Sequence, residues 1–266
     1  MESRREAPAT VFVDADNTLW DTDGVFAAAQ LNLLAAVEVA TSLQSQEADR
    51  LAFVRAADQG IAERHHAGLR YPPRLLIAAL ADALHGENVA RAARLALTGS
   101  GKARIAEDVM ASIEAAYFGD LGCPPAIRPG VEAGLLTLEA AGCTVLIVTE
   151  AARAKVERTA ERLGLGAHFT RIVEGIKRPD LYRRILRLTG TPGAFMVGDQ
   201  LDRDIAPAKA AGLETIYFPG GFQPRWTPAV DMVRPDHVVS SFAEAARIIL
   251  PADGRTAERL DRRAAG

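Results

Sequence analysis

The stretch TVFVDADNTLWDTDG, residues 10–24, decides how the chain is read. Thr10 to Val13 form a short β-prone apolar run that stops abruptly at an acidic loop, the pattern of a buried strand emptying into a turn. From about Val25 to Phe118 the character changes to an Ala- and Leu-rich block with apolar residues at i, i+3 and i+4, punctuated near Thr41, Gly68, His85 and Thr98. That block predicts a bundle of helices. From CPPAIRPG (123–130) onward the pattern alternates regularly. Helices are predicted at 129–141, 151–163, 180–189, near 204–211 and at 242–250. Strands are predicted at 143–149, 194–197, 213–217 and 237–240, with an extended piece near 169–173. Strands alternating with helices predict a parallel sheet covered on both faces. The simplest architecture is an α/β core built from residues 1–20 and 125–250, interrupted after its first strand by an all-helical insertion over 21–124. A polar tail over 251–266 is expected to fray.

Composition narrows the partners. With 48% hydrophobic and 24% charged residues, the 266-residue chain has enough apolar material for a packed core. A net charge of −3 provides no basic field for a nucleic acid duplex. The two cysteines, Cys123 and Cys143, lack metal-type spacing and suit a reducing cytosol. The N-terminus has no apolar targeting segment, and no stretch is expected to approach the roughly 18 apolar residues of a membrane span. A cytoplasmic protein without a membrane partner is therefore expected.

In an open parallel sheet the ligand crevice lies at the carboxyl ends of the strands. Four segments deliver polar groups there: Asp14 and Asp16 after the first strand, Thr149 at the end of CTVLIVT, Lys177 in GIKRPD, and Asp199 after AFMVG. These residue types suit transfer of a phosphoryl group from a monoester. Asp14 can attack phosphorus and form an aspartyl phosphate. Asp16, two residues on, can protonate the leaving oxygen and later deprotonate water. Carboxylates of Asp14 and Asp199, with a backbone carbonyl near Asp16, suit Mg²⁺. Thr149 offers a hydroxyl ahead of a helix beginning near Ala151, whose free N–H groups favour phosphate, and Lys177 can neutralise the nucleophile and the phosphate oxygens.

At this point the chain resembles the haloacid dehalogenase superfamily. DADNTLW is similar to its D-x-D-x-T-L motif, IVTE to its strand-then-Thr motif, IKRPDLYRRIL to its Lys-bearing motif, and GDQLDRDIAPAKAAG to its fourth, acidic motif, in the family's order over roughly residues 10–240. The resemblance implies a Rossmann-like core, Asp14 as nucleophile, Asp16 as acid and base, Thr149 and Lys177 as phosphate binders, and Asp199 with Asp204 as the acidic pair at the metal. Asp202 lies in the same motif, but the spacing favours Asp204. The helical block resembles the inserted cap with which family members cover the site and choose substrate. Two departures stand out. Glu150 follows Thr149 where a small or amide residue is common; it either points at a substrate amine or hydroxyl or caps the following helix. Arg178 separates Lys177 from Pro179, and Lys177 is favoured as the base that faces the site.

The expected activity is hydrolysis of a small phosphorylated metabolite or nucleotide. The same residues would serve a sugar-phosphate mutase. A dehalogenase or phosphonatase is the alternative with another scissile bond, and a retired phosphoryl-ligand sensor or scaffold the alternative without catalysis. Adjacent His65 and His66 read as a solvated helix end rather than a metal pair. Arg55, Arg64, Arg70, Arg74 and Lys102 read as surface charges that could meet a second acidic group on a substrate. Trp20 either walls the pocket or anchors the insertion. The GGFQPRWTP loop (220–228) reads first as an exposed tip and second as a contact in a homodimer.

Overall fold

A computed structural model describes residues 9–190 and 194–250; the predicted tail over 251–266 lies outside them. The chain divides into two compact units, one running to Asp23 and resuming at Pro124, the other spanning Gly24–Cys123.

The first unit holds a six-stranded parallel sheet in the order β5-β4-β1-β6-β7-β8. Its strands are β1 (Thr10–Val13), β4 (Thr144–Thr149), β5 (Arg171–Glu174), β6 (Ala194–Gly198), β7 (Glu214–Tyr217) and β8 (His237–Val238). The central strands are continuous apolar runs because both of their faces are covered. Alternate residues supply each face. Val11, Val13, Val145, Ile147, Phe195 and Val197 pack with α6 (Val131–Ala140), α7 (Arg153–Arg162) and α11 (Phe242–Ile249). Phe12, Leu146, Val148 and Met196 pack instead with α8 (Pro179–Thr189) and α9 (Ala206–Ala210), where Phe12 stacks on Tyr182 with ring centroids 6.1 Å apart.

Register explains why the site forms where it does. Val13 lies opposite Ile147 of β4 and Val197 of β6, and Asp14 N–H continues the ladder to Val197 O at 2.9 Å. The loops after β1, β4 and β6 therefore leave the sheet side by side. The chain order turns outward on either side of β1, which makes its carboxyl end the switch point where ligands bind in such sheets.

Several elements differ from expectation. A two-stranded antiparallel ribbon pairs β2 (Trp20–Asp21) with β3 (Ala126–Ile127), too short to leave a period in the sequence. The extended piece expected near 169–173 is β5, displaced toward the C-terminus by a 3₁₀ turn at Gly166–His168. The helix expected near 204–211 is a π turn at Leu201–Ile205 followed by α9. A short helix, α10 (Val230–Val233), was not anticipated.

The second unit is all-helical: α1 (Thr22–Thr41, rooted in the first unit), α2 (Arg50–Ala62), α3 (Pro73–Leu84), α4 (Val89–Thr98) and α5 (Glu107–Leu121). Local chemistry sets the ends. Asp49 and Asn88 accept the first N–H groups of α2 and α4, Pro73 opens α3, and Gly99 ends α4 with a left-handed φ of 64°. Helix α1 corrects one expectation, because it is long and apolar enough to cross a membrane. In this fold it is a core helix: Leu33, Leu34 and Val37 are buried with Val54, Ile61, Ile77 and Leu80, and its Glu38 takes a bidentate pair from Arg50 (2.8 Å each) and the Ser45 N–H (2.9 Å).

Candidate active site

The acidic loop after β1 is a tight turn. Leu19 N–H bonds Ala15 O at 2.9 Å, and Asn17 sits at a φ of 59°, a conformation that Asn tolerates better than most residues. The Asn17 side chain then accepts from Thr22 Oγ1 (2.9 Å) and Asp23 N (2.7 Å), tying the turn to the start of α1. This geometry buries Asp14 at the strand end and leaves Asp16 half-buried beyond it. Asp16 Oδ1 accepts the indole N–H of Trp20 at 2.9 Å. Thr18 Oγ1 lies 3.4 Å from Asp14 Oδ2.

Lys177 reaches this loop from the segment before α8. Its ammonium donates to Asp14 Oδ1 and, at 2.5 Å, to Asp204 Oδ1. Burial opposes its charge, but the carboxylates of Asp14 and Asp204 outweigh that cost and hold its pKa above the usual lysine value. Arg178, by contrast, is exposed at the N-terminus of α8, so of the two bases it is Lys177 that meets the acidic cluster.

Asp14, Asp199 and Asp204 are all buried, with one carboxylate oxygen of each lying within 4.8 Å of the others. Burial raises the Asp14 carboxyl to about 7, with Lys177 offsetting and Asp204 reinforcing the rise. Burial likewise raises Asp199 well above the ordinary value, and Asp204 and Asp14 add to it. Three buried acids thus face one buried ammonium, and like charges this close disfavour joint ionisation. Asp199 Oδ2 is buried and has no hydrogen-bond partner. An unpaired buried carboxylate oxygen is costly, and a hard dication is the partner that all-oxygen donors suit. The donor set therefore fits Mg²⁺. Asp204 itself is fixed by the Gln200 N–H, which meets its Oδ2 at 2.9 Å.

Two glycines permit this crowding. A Cβ at Gly198 would lie 2.4 Å from Asp204 Cβ, and one at Gly220 would lie 2.9 Å from Asp199 Oδ2. Arg128 holds the surrounding loops: it donates to the main-chain carbonyls of Asn17, Phe218 (3.2 Å) and Pro219 (2.7 Å), and its guanidinium lies 3.6 Å from the Phe218 ring centroid. Sequence reading missed Arg128, since a lone Arg in AIRPG carries no signal for a carbonyl clamp. Thr18 and the bond from Trp20 were also missed as parts of the site.

Thr149 is buried, and its Oγ1 accepts the Ala151 N–H at 3.1 Å, which leaves its own O–H to donate. The helix expected from Ala151 begins instead at Arg153, and its first N–H is taken by Glu174 at 2.7 Å. Glu150 therefore does not cap that helix. Its carboxylate accepts the Lys177 N–H at 3.1 Å and pairs with Arg203, joining the loops after β4, β5 and β6. With both oxygens taken in this way, Glu150 is a strut of the site in this structure.

In the helical unit, His65 stacks on His66 with centroids 4.4 Å apart, and its Nδ1 accepts the Ala67 N–H in the turn after α2. Arg74 pairs with Glu107 and Glu114, and Arg64 with Glu63.

The sequence profile of one family, described as haloacid dehalogenase-like hydrolase, matches residues 8–212. Several solved structures share the fold. A haloacid dehalogenase-like family hydrolase from Xanthomonas campestris is 20% identical, with 97% of this chain and 98% of that chain covered and a TM-score of 0.61. A predicted phosphoglycolate phosphatase from Haemophilus somnus is 18% identical, with coverages of 91% and 97% and a TM-score of 0.55. The HAD-hydrolase YfnB of Bacillus subtilis, as its structure bound to magnesium is described, is 17% identical, with coverages of 92% and 99% and a TM-score of 0.59. No curated protein matches the chain.

Proposed function

The chain belongs to the haloacid dehalogenase-like hydrolases, and from that premise we propose that it is a magnesium-dependent phosphomonoester hydrolase working through an aspartyl phosphate on Asp14. One observation carries the reading: a buried ammonium, Lys177, bridges Asp14 and Asp204 beside the unpartnered oxygen of Asp199. A centre so rich in buried carboxylate is poised for a cation and an anionic ligand together.

Asp14, Asp199 and Asp204, with the main-chain carbonyl of Asp16, would hold Mg²⁺, which supplies charge neutralisation for the phosphoryl oxygens and keeps Asp14 ionised. In the first step a carboxylate oxygen of Asp14 attacks phosphorus as the bond to the leaving oxygen breaks. That oxygen takes a proton from Asp16. In the second step Asp16 accepts a proton from water, whose oxygen attacks phosphorus. The bond to Asp14 then breaks, and inorganic phosphate leaves. Lys177 offsets charge on Asp14 and on a phosphoryl oxygen, and the free O–H of Thr149 donates to another. Glu150 acts through Arg203 and the Lys177 main chain, keeping the lysine loop in register.

Asp16 favours an oxygen leaving group over a halide, because a departing halide needs no proton. The intact set of Asp14, Asp16, Lys177 and Asp199 favours catalysis over a retired scaffold. The substrate is a small phosphate ester, and the helical unit, through its resemblance to family caps, is assigned its selection. Two free cysteines suit a cytoplasmic enzyme.

The test is phosphate release from a panel of phosphorylated metabolites with Mg²⁺, with wild type and Asp14→Asn side by side. Release by wild type alone is expected; release by both, or by neither from any ester, would overturn the proposal.

A further inference from the structure

The clearest feature that the proposed chemistry does not itself require is the side chain of Trp20. It is 1% exposed, and its indole N–H is spent on a carboxylate, Asp16 Oδ1, at 2.9 Å. A buried indole N–H needs an acceptor, and a main-chain carbonyl would have satisfied it equally well. The backbone that carries the ring is tied on both sides. Trp20 pairs with Ile127 in the ribbon, Trp20 O accepts the Asn17 N–H at 2.8 Å, and Leu19 O accepts the Arg128 N–H at 3.1 Å. The indole packs in the apolar core beside β1.

We propose that Trp20 is a positioning residue that fixes the rotation of the Asp16 carboxyl and makes its two oxygens inequivalent. Oδ1 stays the acceptor of the indole N–H through both steps, as the carbonyl oxygen of the acid and as one oxygen of the carboxylate. Oδ2 then carries the proton out to the leaving group and takes one back from water. This assignment rests on the reading of Asp16 as acid and base. Its consequence in the first step is selective: a fixed proton donor matters for alkyl esters, whose leaving oxygen must be protonated, and matters little for p-nitrophenyl phosphate, whose phenolate leaves unaided.

The experiment compares wild type, Trp20→Phe and Asp16→Asn on one alkyl phosphate from the active panel and on p-nitrophenyl phosphate, at saturating Mg²⁺, and reads the first-turnover rate of leaving-group release, which reports the step in which Asp16 acts as acid. Trp20→Phe is expected to slow first-turnover release of the alcohol from the alkyl ester about tenfold or more, as loss of orientation does, and to leave first-turnover release of nitrophenol within about twofold. Equal losses of that rate on both esters, or no loss on either, would overturn the role of Trp20. Equal losses of this first-turnover rate in Asp16→Asn would instead defeat the reading of Asp16 as the leaving-group acid, so the two failures are distinguishable. A second measurement does not depend on the variant's folding. The chain has only two tryptophans, so ¹⁵N-indole spectra contain two signals, assigned by Trp226→Phe. Asp16→Ala should move the Trp20 signal and leave that of Trp226 in place; an unmoved Trp20 signal would contradict the bond on which the proposal depends.

Discussion

Replacing Gly198 with alanine tests how closely the site is packed. The added Cβ would lie 2.4 Å from Asp204 Cβ, 2.6 Å from its Cγ and 2.6 Å from its Oδ2. These separations are roughly an ångström short of ordinary carbon contact, about 3.5 Å. The strand end cannot yield easily, since Gly198 pairs with Tyr217 and its carbonyl accepts the Phe218 N–H at 2.9 Å. Asp204 must therefore retreat, and a shift of about an ångström takes its Oδ2 out of hydrogen-bond range of Gln200 N and strains its pair with Lys177. Overpacking and a weakened buried charged bond together suggest a destabilisation of about 2–3 kcal/mol, or a fall in Tm of roughly 5–10 °C for a chain of this size. Misplacing a group at the metal by that distance lowers kcat on the order of 10²-fold. Differential scanning calorimetry and p-nitrophenyl phosphate turnover read the two effects. Gly166→Ala, whose Cβ would meet nothing closer than Glu161 Cγ at 3.6 Å, is the matched control. Full activity and an unchanged Tm in Gly198→Ala would refute the reasoning that Asp204 must sit where the structure puts it.

Three further outcomes follow from the same geometry. Asp199→Asn removes one of three crowded buried acids and should raise the Tm of chelator-treated protein while abolishing turnover; the Tm increase that Mg²⁺ gives wild type should shrink in the variant, and an equal increase in both would contradict metal binding at Asp199. Lys177→Met leaves Asp14 and Asp204 without their shared cation, so it should cost about 3–5 kcal/mol in metal-free protein and silence turnover; a variant as stable as wild type by urea unfolding would show that the bridge is not formed. In the helical unit Arg50, with the Ser45 N–H, holds the Glu38 carboxyl below its usual pKa. A carboxyl with a depressed folded pKa stabilises above its unfolded value, about 4.3, and loses that contribution as pH falls. Glu38→Gln should therefore melt roughly 2–4 °C lower than wild type near neutral pH, for about 1 kcal/mol lost, and the gap should close below about pH 4; a gap independent of pH would sink the ion-pair account.

How much of this was legible beforehand depended on range. The alternation of apolar strands and helices after residue 123 announces a covered parallel sheet, because burial on both faces leaves continuous apolar runs such as VLIVT and AFMVG. Asp14, Thr149 and Asp199 were legible as candidates because each sits where a strand empties into a polar loop, and Lys177 because GIKRPD places it just ahead of a helix. The structure brings Asp14, Lys177, Asp199 and Asp204 into one buried cluster and keeps Asp16 at its margin. What stayed hidden is set by contacts distant in sequence. Arg128 grips carbonyls roughly ninety and a hundred and ten positions away, and Glu150 finds Arg203 across 53 residues. The ribbon of Trp20–Asp21 with Ala126–Ile127 joins the two ends of the helical insertion, where no local pattern could mark it. Even within one loop, the bond from Trp20 to Asp16 depends on a turn whose reversal at Asn17 is not written in apolar periodicity.

The most direct test of the central claim is to trap the phosphoryl group. Asp16→Asn, mixed with p-nitrophenyl phosphate and Mg²⁺, should accept phosphate from this self-sufficient leaving group and then stall, because no base remains to activate water. After acid quench and proteolysis, mass spectrometry should find a phosphoryl adduct on Asp14 in near-stoichiometric amount, absent from Asp14→Asn. Sustained release of nitrophenol with no adduct, or an adduct on another residue, would contradict Asp14 as the nucleophile.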